Sequence, residues 1–217
     1  MHFEILVEDA SGKIALDHLV PKILGPGTPH SFRVRGYKGA GRIPRNMKTA
    51  TGVKKRFLLS MLPTMLRAYG KSLQPRDQYG VVVVVDSDRK DCHDFKEELV
   101  AILDRCNPAP RTLFRIAIEE MEAWLLGDRD AITAAFPRAR TAPLAGYNQD
   151  SVCGTWEVLA DAVYPGGAEP LKKLGFPYTG QAKCDWAERI APEMDIDANA
   201  SPSFKVFRQA FAKLAEC

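Results

Sequence analysis

Gly80-Val81-Val82-Val83-Val84-Val85-Asp86-Ser87-Asp88 is the stretch that decides the fold. Five β-branched residues in succession, closed by polar ones, predict a central strand buried on both faces. Such a strand belongs in a parallel or mostly parallel sheet with helices covering both sides. Asp86 and Asp88 then stand at the carboxyl end of the strand, where open α/β sheets hold their ligands. Side chains two residues apart in extended chain project the same way, so both carboxylates can converge on one cation. The same residues admit a second reading: Asp86 as a loop residue, and Asp88 or Asp91 as the N-cap of the next helix.

On the N-terminal side, His2 to Glu8 predicts a first strand that ends on an acid. A helix to about Leu24 follows, capped by Asp9 or Ser11 and stopped by Pro26-Gly27. Gly12-Lys13 after a strand is not a phosphate-binding P-loop, because Val7 stands where the first glycine belongs and Ile14 replaces the Ser or Thr. Phe32 to Arg35 is a short strand, and Gly36 to Asn46 a glycine-rich cationic loop whose backbone can approach a phosphate. As an ordinary surface loop it needs no ligand. Thr51 to Tyr69 predicts a helix, kinked or split at Pro63, with Lys54-Lys55-Arg56 exposed near its start.

On the C-terminal side, a helix is expected over Asp94 to Arg105 and a third apolar strand over Leu113 to Ile118. A further helix is expected to begin directly at Glu119-Glu120. The alternation of strand and helix fits right-handed crossovers in an α/β sheet. Past Ala135 the texture changes to proline, glycine and short helices over Trp156 to Val163, Trp186 to Ile190 and Phe204 to Leu214. Trp156 and Trp186 read as core anchors. The organisation expected is an α/β core over 1–135 and a helical extension over 136–217 packed on it.

Among the 217 residues, 46% are hydrophobic and 26% charged, which excludes disorder as the default. The net charge is only +3, but its distribution is uneven. His18 to Arg76 contains 13 Lys or Arg and no acid, whereas Asp86 to Asp130 contains 12 Asp or Glu. A basic half beside an acidic half suits a polyanion held next to a metal-binding carboxylate cluster, and equally suits two solvated faces. Arg33, Arg35, Lys38, Arg42, Arg45, Lys48, Lys54 and Lys55 are the candidate nucleic-acid contacts. The five cysteines are scattered without a CxxC pair, which speaks against a disulfide framework or a structural zinc and for a reducing, cytoplasmic setting. No apolar stretch approaches a membrane span.

Three predicted strand ends carry acids: Glu8, then Asp86 and Asp88, then Glu119, Glu120 and Glu122. In a parallel sheet these ends share one edge. Hard oxygen donors without His or Cys select Mg²⁺ or Mn²⁺ over zinc. Packed carboxylates without a cation would repel one another and raise their own pKa values.

Glu8 after one apolar strand, with Asp86-Ser87-Asp88 after another, resembles the Toprim domain of topoisomerases, primases and overcoming-lysogenisation-defect nucleases. Leu6-Val7-Glu8, the Asp-Ser-Asp triplet, Ile118-Glu119-Glu120-Met121-Glu122-Ala123-Trp124-Leu125-Leu126-Gly127-Asp128 and Ser201-Pro202-Ser203-Phe204 together resemble a bacterial Toprim-like family of unknown function, domain of unknown function four-two-seven-six. The usual Toprim glycine after the first glutamate is Asp9 here, which either crowds the phosphate approach or adds a ligand. The resemblance implies a Toprim-like sheet with Asp86 and Asp88 as Mg²⁺ (or Mn²⁺) ligands and Glu8 as the metal-linked acid or general acid/base. It implies Glu122 as the acid that serves a second metal in the nuclease branch, with Glu119 and Asp128 weaker candidates. Lys13, Arg89 and Lys90 are candidates to neutralise a transition state, and equally plain surface residues.

The function expected is a Mg²⁺-dependent nuclease on DNA or RNA, which the resemblance places in bacterial anti-phage defence. A Toprim-like nucleic-acid-binding subunit, inactive alone or activated by a separate ATPase, is the rival. A nucleotide-handling enzyme with a small phosphate substrate comes third. Nothing in the chain reads bases: it carries no helix-turn-helix or zinc-finger pattern.

Overall fold

A computed structural model describes residues 1–44, 56–88, 90–151 and 154–216. Its centre is a four-stranded, all-parallel sheet of β1 (His2–Val7), β2 (Ser31–Gly36), β3 (Tyr79–Asp86) and β4 (Thr112–Ala117) in the order β2-β1-β3-β4. Flanked by helices, this sheet is the expected α/β architecture and is consistent with a Toprim-like fold.

The valine run explains itself in β3. Val81, Val83 and Val85 face one apolar cluster and Val82 and Val84 the other, all without solvent exposure. A central strand between two helical layers has no polar face, so the alternation of a half-buried strand disappears. Chain order reverses about β1: the first crossover leads to β2 on one side, the next to β3 on the other. Crossovers of one hand therefore place α1 (Ala10–Leu24) on one face, and α2 (Leu58–Ser72) and α3 (Cys92–Asp104) on the opposite face. The carboxyl ends of β1 and β3 flank the point of reversal, where the loops diverge and leave a crevice.

Of the helix expected over Thr51 to Tyr69, Thr51 to Lys55 lie outside the described residues; the helix begins only at Leu58, after an extended Phe57, and runs unbroken through the buried Pro63 to Ser72 instead of splitting there. The helix expected from Glu119 begins only at Glu122: α4 spans Glu122–Leu126. Glu119 itself takes a left-handed conformation, φ 63°. Its carboxylate is needed elsewhere, as shown below.

Among the described residues six further helices follow: α5 (Arg129–Ala135), α6 (Thr141–Gly146), α7 (Thr155–Val163), α8 (Ala168–Leu174), α9 (Tyr178–Ile190) and α10 (Pro202–Glu216). Their apolar residues join those of β1 and α1 in one continuous core, with α9 packed along α1 and α10 against β4. Trp186 is buried there, and Trp156 lies partly buried at the margin. No helix among the described residues is long and apolar enough to cross a membrane.

The two sequence stretches most particular to the chain meet in this layer. Trp124, fully buried, stacks on Phe207 at 4.8 Å and meets Phe204 edge-on at 5.5 Å. Its indole N–H donates to Ser203 Oγ at 2.9 Å, and Asn199 Nδ2 donates to its carbonyl at 2.8 Å. Gly127 lies so close to Asn199 that a β-carbon would stand 2.1 Å from Asn199 Oδ1. The Glu-Ala-Trp-Leu-Leu-Gly and Ser-Pro-Ser-Phe segments are thus two halves of one buried clamp that anchors α4, and with it Glu122.

Candidate functional site

Glu8 follows the last residue of β1, and Asp86 is the last residue of β3. These strands are neighbours, with Val7 opposite Val84, so both acids stand at the reversal point. Asp86 N donates to Glu8 Oε2 at 3.3 Å. The glycine-rich segment after β2 closes over Glu8: Gly39 N donates to its carbonyl at 2.9 Å, and the Ala40 amide supports its carboxylate. Gly39 permits that turn with φ 106°. This loop was open to two readings, a backbone approach to phosphate or plain surface; here two of its amides hold Glu8.

The Asp-Ser-Asp turn is tied to the end of β4. Ser87 is buried; its N–H donates to Ala117 O at 2.9 Å, and its Oγ accepts from Glu119 N at 2.8 Å. Asp88 N donates to Glu119 O at 3.0 Å. Asp88 and Glu119 both hold left-handed backbones, φ 50° and 63°, in a region costly for residues with a β-carbon. Asp88 is exposed at the rim. The helix cap considered for this segment belongs to Asp91, which accepts from His93 N at 2.8 Å and Asp94 N at 3.1 Å. Asp86 and Asp88 do not serve as caps.

The electrostatics follow from crowding. Burial pushes the Glu8 carboxyl up to about 7, aided by Asp88 and Asp9 and opposed by the Asp86 and Ala40 amides. Burial likewise raises Asp86 well above the usual range, reinforced by Glu8 and Glu122. Glu120 is pushed up to about 8 by burial, with Glu122 and Glu119 adding to it and Lys183 opposing. Glu122, only 1% exposed, is raised by burial against the pull of the Lys183 ammonium.

Lys183, on α9, is the residue the sequence reading missed. Its Nζ lies 3.0 Å from Glu122 Oε2 and 3.5 Å from Glu120 Oε1. No spacing rule marks a lysine 61 positions beyond Glu122 in an exposed-looking amphipathic helix. Only the packing of α9 on α1 brings it to the acids. Glu122 was expected as a metal ligand; its charge is engaged by this ammonium.

Other candidates are placed as follows. Asp9 caps α1, accepting from Gly12 N at 2.7 Å and from Ser11 Oγ at 2.8 Å, so both its oxygens have donors of their own. Glu119 accepts from Gly154 N at 2.7 Å, Thr155 N at 2.8 Å and Thr155 Oγ1 at 2.7 Å, at the start of α7. Asp128 caps α5 and holds Asp195 N at 2.8 Å. Lys13 pairs with Asp17, and Lys90 with Glu98 at 3.5 Å.

Of the basic candidates, Arg33, Lys38 and Arg42 are exposed. Arg35 is spent on Glu4, at 2.8 Å, where its guanidinium holds the Glu4 carboxyl below the ordinary range against burial. Arg42 lines a cleft of about 520 Å³ with Lys90 and Arg105, against the single acid Glu98. Arg45, Lys48, Lys54, Lys55 and Arg89 lie outside the described residues.

For a divalent cation the donor chemistry fits: carboxylate oxygens at a mouth that repel one another for want of positive charge. Among the described residues, no three His, Cys, Asp or Glu side chains already stand together as an ion's ligands. Glu8, Asp86 and Asp88 would hold it, Asp88 turning inward from the rim. No curated protein and no solved structure matches the chain. Matching over residues 7–212, it belongs to the family described as Domain of unknown function (DUF4276).

Proposed function

We propose that the chain is a Mg²⁺- or Mn²⁺-dependent phosphoryl-transfer enzyme of Toprim type, a nuclease acting on DNA or RNA in a bacterial cytosol, in anti-phage defence. The supporting observation is the placement of Glu8 and Asp86 side by side at the reversal point of an all-parallel sheet, with Asp88 at the rim two residues on and a cleft lined by Arg42, Lys90 and Arg105. When bound, the ion supplies Lewis-acid polarisation of the scissile phosphate and an activated water. Asp86 is fixed by its place in β3, and Asp88 by the Ser87 and Glu119 bonds that set its backbone. Glu8 would serve either as the metal-linked acid or as the group that accepts and returns the proton. Arg42 and its cationic neighbours neutralise flanking phosphates, a sequence-independent attraction that weakens with salt.

The experiment compares wild type with Asp86→Asn/Asp88→Asn on single- and double-stranded DNA and RNA, with Mg²⁺, Mn²⁺ or EDTA. Metal-dependent cleavage that disappears in the variant is expected. Cleavage left unchanged by the double substitution overturns the assignment.

One observation favours a second reading, a subunit activated by a partner such as a separate ATPase. Three ligands are not gathered among the described residues, so closure of the site by a partner would complete it. Metal binding without cleavage by the isolated chain selects this reading.

A further inference from the structure

Among the described residues, Lys183 is the cation that pairs with the buried acids Glu120 and Glu122, and it does so from outside the sheet. It projects from α9, which packs along α1, whose first turn follows Glu8-Asp9 directly. Its side chain is only 13% exposed. Four acids act on it, in falling order Glu122, Glu120, Asp86 and Asp9, and they keep it charged despite burial. Among the described residues, Glu120 Oε2 is buried without a hydrogen bond, and Glu122 Oε2, buried too, has the Lys183 ammonium as its counter-charge without a well-formed hydrogen bond. Removing one member of so buried a pair leaves an uncompensated charge, so the ammonium is a fixed part of the centre.

Two-cation phosphoryl transfer places positive charges on either side of the reacting phosphate, each held by its own carboxylates. Here one carboxylate group, Glu8, Asp86 and Asp88, has no cation at ion-pair distance among the described residues, Lys183 attracting Asp86 only from farther off. The other, Glu120 and Glu122, already has the Lys183 ammonium.

We propose that Lys183 occupies the second cation position, so that the centre takes a single divalent ion at Glu8, Asp86 and Asp88 and uses the ammonium as its built-in second positive charge. Lys183 is on this account a positioning residue that also holds Glu122 away from the ion. The inference rests on the metal-dependent reading above and fixes its stoichiometry.

The test is calorimetric titration with Mn²⁺, with bound Mn²⁺ counted by electron paramagnetic resonance, on wild type, Asp86→Asn, Glu122→Gln, Lys183→Met and the double variant Lys183→Met/Glu122→Gln. Folding of each is checked by circular dichroism. Wild type should bind one ion per chain, and Asp86→Asn should weaken it. Glu122→Gln should leave the dissociation constant within about threefold, since that acid does not touch the ion. Lys183→Met should admit a second ion at the vacated carboxylates, and the double variant should return to one.

Two ions in wild type, or about tenfold loss of the first in Glu122→Gln, overturns the proposal while leaving the metal reading intact. A single ion of unchanged affinity in a folded Lys183→Met also overturns it. If Lys183→Met does not fold, Glu122→Gln and the double variant decide: loss of the ion in either refutes the assignment. No ion in wild type defeats the metal reading itself, and this inference with it.

Discussion

Raising pH from 5 to 8.5 should destabilise the metal-free protein, the reverse of what surface carboxylates do on acidification. In the unfolded chain the Glu8 and Glu120 carboxyls ionise near 4.5, whereas in the fold they retain protons up to about 7 and about 8. Between those limits the folded state binds more protons. Stability from these groups is therefore complete below 4.5 and is lost as pH rises through the folded values. At about 1.4 kcal/mol per tenfold change in proton affinity, Glu8 alone corresponds to about 3 kcal/mol and Glu120 to about 5. The two are linked through Asp86 and Glu122 and do not simply add, so a total on the order of 5 kcal/mol is expected, about 15 °C in Tm for a chain of this size. Glu4, Asp91 and Asp195, whose pKa values are lowered, contribute in the opposite sense and lose their stabilisation only on acidification below the ordinary carboxylate range. The assay is urea unfolding in EDTA at half-unit steps of pH, with Glu120→Gln as control. The slope should flatten in the variant, and Mg²⁺ at pH 8.5 should restore part of the loss by binding the folded state alone. Unfolding free energy that is flat or rising between pH 5 and 8.5 would refute the account of a crowded, under-compensated acid cluster.

Glu119→Ala should cost about 2–4 kcal/mol in urea unfolding, because two backbone amides and a hydroxyl at the start of α7 lose their acceptor. Glu119→Gly loses the same bonds but relieves the left-handed backbone, so it should be the milder by about 1 kcal/mol; equal losses would mean that no strain is stored there. Gly127→Ala should cost about 2–4 kcal/mol by driving a methyl into Asn199, and a neutral effect on Tm would deny the interlock. If the exposed cations meet a polyanion, Lys38→Ala and Arg42→Ala should each lower the slope of log affinity against log salt by about one, measured on labelled DNA and RNA. Arg35→Ala, whose charge is held by Glu4, should leave that slope unchanged.

How much of this was legible beforehand varies by element. The strand over Gly80 to Val85, the acids at Glu8 and Asp86, and the caps available to α1 and α3 depend on neighbours within a few residues, where period, branching and hydrogen-bonding reach suffice. The start of α4 was misplaced because the Glu119 carboxylate is called to α7, a demand made 35 residues away. The glycine-rich loop could be read as a phosphate loop or as plain surface, because composition permits close approach but does not say to what; amides of Gly39 and Ala40 went to Glu8.

The sequence by itself therefore determined the parallel sheet and the acids at its carboxyl edge, because burial on both faces and strand polarity are properties of a short segment. Only the tertiary structure decided which acids remain available. Asp9, Glu119 and Asp128 became caps, Glu122 was paired with Lys183, and Arg35 was taken by Glu4, since an ionised group settles on the donor or counter-charge that packing brings within about 3 Å, irrespective of its distance along the chain.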